Sequence, residues 1–262
     1  MALTAAIDHA FGMRLLAYTT LVAVLVGCIY VPANEPPRLD QPWRTRGSVR
    51  PPVWQSIGLS VEGRPIRYRT VGSGFRRVLW IGGIHGNEVS GTLATSELGS
   101  EVSASRSLHQ RVTLHIVEDM NPDGRAANRR TNARGVDLNR DFPASNRPDG
   151  GGLGQPESRA IHDLIRRIRP DLIIVAHGWS GRYFINFDGP ALAYAQRFSE
   201  LSGFPVVPSS DINPTPGSMG SWCGTDLAIP ILTLEWAKGT PPDKAWGATR
   251  SAILAVVAGD MD

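Results

Sequence analysis

Hydrophobic and polar positions along this chain switch between strand-like and helix-like spacing. Positions 66–71, 77–81 and 111–117 read as strands, and 172–176 and 231–234 are short, nearly continuous apolar runs of the kind that fill a buried sheet. Between them, Ala160, Ile161, Leu164, Ile165 and Ile168 recur at helical spacing behind Pro156, and the pattern stops at Arg169-Pro170. Positions 90–98, 191–201 and 245–257 read as further helices. Strands alternating with helices predict a single α/β domain: a mixed, mostly parallel sheet with helices on both faces. In such sheets ligands bind outside the carboxyl ends of the strands.

One stretch breaks the rhythm. Positions 120–154 are rich in Asn, Asp, Gly and Arg, too long to be idle in a compact domain, and are expected to carry function. Within it, 150–154 lacks the Lys and Ser/Thr of a phosphate loop and reads as a flexible turn.

The amino-terminal end follows a different logic. Arg14 precedes an apolar run over 15–26 that ends in Leu25-Val26-Gly27-Cys28. The run has the length of a signal-peptide core and is short for a membrane span, and its end resembles a bacterial lipoprotein cleavage box. An uncleaved anchor extending to Val31 is the alternative, and Met13 is a second candidate start. Residues 1–28 are thus expected to be a leader or anchor, 29–52 a Pro-rich linker and 53–262 the globular domain. This predicts a cell-envelope protein, extracytoplasmic and held to the membrane by lipid at Cys28. Cys28 and Cys223 lie in unrelated contexts, so no disulfide framework is expected.

Composition changes the picture only by exclusion. With 262 residues, 42% of them hydrophobic, the chain can bury a full core, and 27 basic against 24 acidic residues leave a net charge of only +3. The Arg residues gathered over 125–140 are a local feature, and without a recognition helix or aromatic-interleaved basic surface no nucleic-acid partner is expected. The sequence sets no oligomeric state.

The chemistry is suggested by what stands at strand ends. His85-Gly86-Asn87-Glu88 follows the 77–81 strand through Gly82-Gly83-Ile84, so both side chains can face one point. A neutral imidazole and a carboxylate suit zinc, given a third ligand and an open position. Taken alone, such a pair also fits ordinary loop residues. His177 closes the 172–176 run and would put a third ligand at the same rim. His115 lies inside a strand pattern, His162 on a helix, His109 in a connection and His9 in the leader. Glu235 likewise closes 231–234; a carboxylate there is costly unless solvated, paired or used, and a general base is one such use.

Taken together, Gly82-Gly83-Ile84-His85-Gly86-Asn87-Glu88, Asn121-Pro122-Asp123-Gly124, Gly135-Val136-Asp137-Leu138-Asn139-Arg140, His177 and Leu234-Glu235 resemble the zinc carboxypeptidases in order and spacing. Arg130-Thr131-Asn132-Ala133-Arg134-Gly135 and the segment 215–223 are similar to the murein peptide amidases of bacteria. Those enzymes cut the γ-D-glutamyl to meso-diaminopimelate bond of cell-wall peptides. The resemblance implies one Zn2+ held by His85, Glu88 and His177, with Glu235 activating the attacking water. It implies that Arg130 stabilises the developing oxyanion, and that Asn139 and Arg140 grip the terminal carboxylate of a small peptide substrate. Asn87 stands where many digestive members carry Arg, and no Tyr occurs between Phe204 and Glu235 to cap the substrate; digestive specificity is therefore not expected. The resemblance leaves two rivals: an N-acyl amino acid deacylase of the aspartoacylase or succinylglutamate desuccinylase type, and a non-catalytic lipoprotein that captures cell-wall peptide.

Overall fold

A computed structural model describes residues 53–212 and 215–261; the expected leader and linker over 1–52 lie outside the described residues. Eight strands form one sheet: β1 (Gln55–Leu59), β2 (Pro65–Gly72), β3 (Arg76–Ile81), β4 (Val112–Val117), β5 (Leu172–Trp179), β6 (Phe184–Asp188), β7 (Val206–Pro208) and β8 (Ile231–Ala237), in the order β1-β2-β4-β3-β5-β8-β6-β7. The central strands β4, β3, β5 and β8 run parallel, while β1, β2 and β6 join by antiparallel pairing. Helices α1 (Thr92–Ala104), α2 (Arg106–Arg111), α3 (Pro122–Ala126), α4 (Pro156–Ile168), α5 (Leu192–Ser202) and α6 (Pro242–Ala258) complete the architecture.

The two-residue period of the strands sorts their side chains into two cores. Val78, Trp80, Ile174, Ala176, Leu232, Leu234 and Trp236 pack against residues of α1, α5 and α6 on one face. Leu79, Ile81, Ile173, Val175 and Ile231 join Ile161, Leu164 and Ile165 of α4 on the other. The α4 stripe is the one its spacing predicts, and each Leu or Ile buried this fully stabilises the fold by about 1.5–3 kcal/mol. Arg169, in the left-handed conformation, ends that helix, its N–H donating back to the Ile165 carbonyl.

Alternation also decides where polar residues emerge. Continuing the second face along β5 and β8 past Val175 and Thr233 brings His177 and Glu235 level with one another, as direct ladder partners. Both strands run on through Trp179 and Ala237, further than the apolar runs that mark them in the sequence. The reading of the sequence also omits β1, β6 and β7. These outer strands are short and partly exposed, so they lack the apolar run of the central ones.

Candidate active site

The loop after β3 is fixed by three separate contacts. Gly83 sits at φ 63°, and a Cβ there would overlap the Asp119 carboxylate; a Cβ on Gly86 would overlap the backbone of Gly124 and Arg125. Only glycine allows both approaches. Arg125 then bridges the parts, donating from Nε to Asp119 Oδ2 at 2.7 Å and from NH1 to the Gly86 carbonyl at 2.8 Å. The Asn-Pro-Asp-Gly motif has an equally local role. Asn121 Oδ1 accepts from Gly124 N at 2.9 Å and caps α3, while its Nδ2 donates to the Arg130 carbonyl at 3.2 Å. Asp123 accepts from Ser60 Oγ at 2.7 Å and Glu62 N at 3.0 Å, tying the β1–β2 turn to α3. The loop bearing His85 and Glu88 is thereby held rigid before any ligand arrives.

His85, Glu88 and His177 converge as the sequence predicts. Their ligand atoms lie within 4.8 Å of one another and all three residues are buried. Glu88 Oε2 stands 3.0 Å from His85 Nδ1, 3.0 Å from His177 Nδ1 and accepts from Gly178 N at 2.9 Å. His85 Nε2 lies 3.1 Å from Asp137 Oδ1. When Nε2–H donates to that carboxylate, Nδ1 keeps its lone pair for a metal, the usual outer support of a ligating histidine. Two imidazoles and one carboxylate on converging atoms, with that support in place, fit zinc. Burial opposes ionisation of Glu88, but its bonds to His177 and His85 outweigh it and hold the carboxyl well below the usual range. At Asp137 burial is likewise outweighed, first by His85 and then by the charges of Arg130 and Arg140.

Glu235 meets the same rim from β8 with few partners. Its Oε2 is buried and has no hydrogen-bond partner. Burial, with the Glu88 charge adding to it against the pull of His177, Arg130 and Lys238, pushes its carboxyl up to about 7. A carboxyl so placed can exchange a proton near neutral pH.

His85, Glu88, His177 and Glu235 line one cleft together with Arg130, Asn139 and Arg140. Arg130 donates from Nε to Asp137 at 3.1 Å and from NH1 to Glu88 Oε1 at 3.2 Å, which aims its guanidinium at the rim. Asn139 Oδ1 accepts from Met219 N at 3.0 Å, and Arg140 NH1 donates to the Asn139 carbonyl at 2.7 Å. Thr215, Ser218, Met219 and Gly220, from the segment that resembles the murein peptide amidases, also line the cleft. Cys223 is fully buried, and burial raises its thiol pKa, which agrees with a packing role. The turn over 150–154 ends against Asp141, whose two carboxylate oxygens accept from Gly154 N and Gln155 N.

Sequence reasoning missed three polar residues here. Asp137 lies in the Gly135–Arg140 motif, and its bond to His85 joins residues 52 apart, which no local pattern marks. Asn186 and Asp188 point from β6 into the cleft, opposite Thr233 and Ile231 of β8, with Ile185 packed on the other face. The alternation Phe184-Ile185-Asn186-Phe187-Asp188 is the signal that would have found them. Asp188 lies deep in the cleft beside the π-helical turn Gly220–Asp226; a Cβ on Gly220 or Gly224 would overlap it. Burial raises its carboxyl pKa against a hydrogen bond from Ser209, and among the described residues no Arg or Lys pairs with it.

Residues 53–202 match the model of the zinc carboxypeptidase family. The chain is 30% identical over 247 residues to murein peptide amidase A of Escherichia coli strain K12, covering 83% of this chain and 93% of that one. It is 27% identical over 244 residues to γ-D-glutamyl-L-diamino acid endopeptidase 1 of Lysinibacillus sphaericus, covering 71% and 61%. The crystal structure of the murein-tripeptide amidase of Escherichia coli O157 superposes with a TM-score of 0.57 at 27% identity, over 80% of this chain and 92% of that one. These matches coincide with the elements that bring His85, Glu88 and His177 together, and the chain belongs to the zinc carboxypeptidase family, as a hydrolase related to murein peptide amidase.

Proposed function

We propose that this enzyme uses one zinc ion to hydrolyse the amide bond between γ-D-glutamate and meso-diaminopimelate in small murein peptides. The observation that carries the reading is the pair of opposed features along one cleft: a three-ligand cluster beside an unpartnered Glu235 carboxyl at the rim, and the Asp188 carboxylate at depth. His85, Glu88 and His177 would hold the zinc, which when bound polarises a carbonyl and acidifies water. Glu235 Oε2 takes the proton of the attacking water and returns it to the leaving amine. A carboxyl pushed up to about 7 can hold that proton between the two transfers. Arg130 donates to the developing oxyanion, and Arg140 with Asn139 grips the carboxylate of the leaving residue. Asp188 sits opposite Ile231, four residues from Glu235 toward the amino end of β8, or roughly 13 Å along a strand. It faces the distal ammonium that a diamino acid extends into the cleft, and a neutral side chain offers nothing to it.

Relatives named as a murein peptide amidase and a γ-D-glutamyl-L-diamino acid endopeptidase support this substrate class. The test is zinc-loaded protein with L-alanyl-γ-D-glutamyl-meso-diaminopimelate beside N-succinylglutamate, read by mass spectrometry. Release of free diaminopimelate from the first is expected; turnover of only the second would make the chain a deacylase. Where the enzyme acts follows from the leader: an envelope location with lipid at Cys28 brings it to such peptides. Metabolic labelling with a radioactive fatty acid should mark the wild type and not Cys28→Ser, and equal labelling or none removes the anchor.

A further inference from the structure

The acyl side of the scissile bond also needs recognition, and nothing above supplies it. Asp188, Asn139 and Arg140 all serve the leaving residue. A γ-linked glutamyl residue presents a free α-carboxylate, on the carbon that bears its nitrogen and three carbons from the scissile carbonyl, whereas an α-linked residue with a neutral side chain presents no charge on that side of the bond. A cation across the metal cluster from Asp188 would read that difference.

Lys238 stands there. Asp188 is level with Ile231, four residues behind Glu235 on β8, whereas Lys238 follows the end of β8, three residues ahead of Glu235. Its root is fixed, because Lys238 N donates to the Trp179 carbonyl at 2.9 Å and the following turn is closed by Thr240 N to the Ala237 carbonyl at 3.0 Å. Ser90 Oγ donates to the Thr240 carbonyl at 2.9 Å and ties that turn to the loop carrying Glu88. The stem passes beside Gly178, where a Cβ would stand in ordinary contact with Lys238 Cγ at 3.5 Å and Glu88 Cγ at 3.4 Å.

The charged end, by contrast, is loosely engaged. Lys238 Nζ lies 3.6 Å from Glu88 Oε1, beyond hydrogen-bond length, and its side chain is 37% exposed. Arg130 reaches the same oxygen at 3.2 Å and also bonds Asp137, so Glu88 does not depend on the lysine and Arg130 is already committed. Arg182, the other cation near the rim, lies over the rings of Phe184 and Trp179. The choice of residue type is unusual for this chain. Of its 27 basic residues only Lys238 and Lys244 are lysines. A compact ammonium on a flexible stem can turn from Glu88 to an arriving carboxylate where a second guanidinium fork would compete with Arg130.

We propose that Lys238 is the specificity residue of the acyl side, its ammonium binding the free α-carboxylate of a γ-linked glutamyl residue. This rests on the substrate reading given above. The experiment compares the zinc-loaded full chain on L-alanyl-γ-D-glutamyl-diaminopimelate and on the same peptide with the glutamyl α-carboxylate amidated. The wild type is expected to favour the free acid by about 10- to 100-fold in kcat/KM, the worth of one charge-assisted bond. Lys238→Met should bring that ratio to within about threefold of one, mainly through KM, and Lys238→Arg should restore part of it. A parallel titration with the product L-alanyl-D-glutamate should show weaker binding to Lys238→Met than to the wild type. If Lys238→Met keeps the ratio, or lowers both substrates together in kcat while losing zinc, the lysine acts on Glu88 and the assignment is overturned. Wild type that cuts both peptides equally well overturns it alone. Wild type that cuts neither overturns the substrate reading and Lys238's role with it.

Discussion

Glu88, from the loop after β3, and Glu235, from β8, meet at one rim of the sheet, each is 7% exposed, and their carboxyl groups are displaced in opposite directions. Burial alone would raise both. Glu88, on the loop after β3, is surrounded by two imidazoles, a backbone N–H and Arg130, and stays ionised. Glu235, on β8, has one buried oxygen with nothing to bond and sits beside the negative charge of Glu88. The same side chain at the same depth is thus held ionised in one setting and left able to take up a proton in the other. What separates them is the number of donors the surrounding loops deliver, and the loop around Glu88 is the more heavily braced.

The largest effect should come from breaking the contrast at Glu235. Glu235→Gln keeps shape and removes the proton acceptor, so kcat should fall by about 10²–10⁴ while bound zinc, read by elemental analysis, stays near one per chain. Loss of zinc in that variant would mean that Glu235 is a ligand. Breaking the support of the ligand side comes next. Asp137→Asn leaves His85 without its carboxylate and should weaken zinc binding by about 10- to 100-fold in a competition with a chelating dye. Stripping the metal with a chelator should remove activity, and added Zn2+ should restore it. Sharpening the comparison at depth, Asp188→Asn should lower kcat/KM for a diaminopimelyl leaving group by about 10-fold or more. A norleucyl analogue should respond less, and an equal fall on both would deny Asp188 its ammonium.

The smallest effect concerns a buried ionisable group that serves no chemistry. His115, 8% exposed in β4, lies 2.6 Å from Tyr68 Oη through Nδ1, and burial, with Arg77 and Arg167 adding repulsion, lowers its pKa from 6.5 to about 4. The unfolded chain therefore takes up a proton that the folded chain refuses. Stability is fully present above about pH 6.5 and declines as the pH falls towards about 4. In His115→Gln the fall of Tm across that window should shrink by on the order of 5 °C, read by thermal melts at stepped pH. An unchanged slope would place the proton uptake elsewhere.

Much of this was legible in the sequence for definite reasons. His85 and Glu88 share one glycine-rich turn, so their convergence is a local matter. His177 and Glu235 close apolar runs long enough to be central strands, and parallel central strands end at the same rim. His115 lies inside the strand its pattern predicts and is buried there. The outer strand β6 was not legible, because five residues of mixed polarity, two of them only half-buried, resemble a loop when read alone. Asp188 and Asn186 were lost with it.

The sequence by itself determined the rhythm of strands and helices, the glycines that let the chain turn at the metal loop, and the residue types able to hold zinc. Each depends on interactions between near neighbours, which a linear pattern records. Only the tertiary structure decided that Asp137 backs His85, that Glu235 lacks a partner while Glu88 has several, and that Asp188 and Lys238 stand on opposite sides of the cluster. Those outcomes depend on register between strands distant in the chain and on which donors end up within about 3 Å, the range over which a hydrogen bond forms.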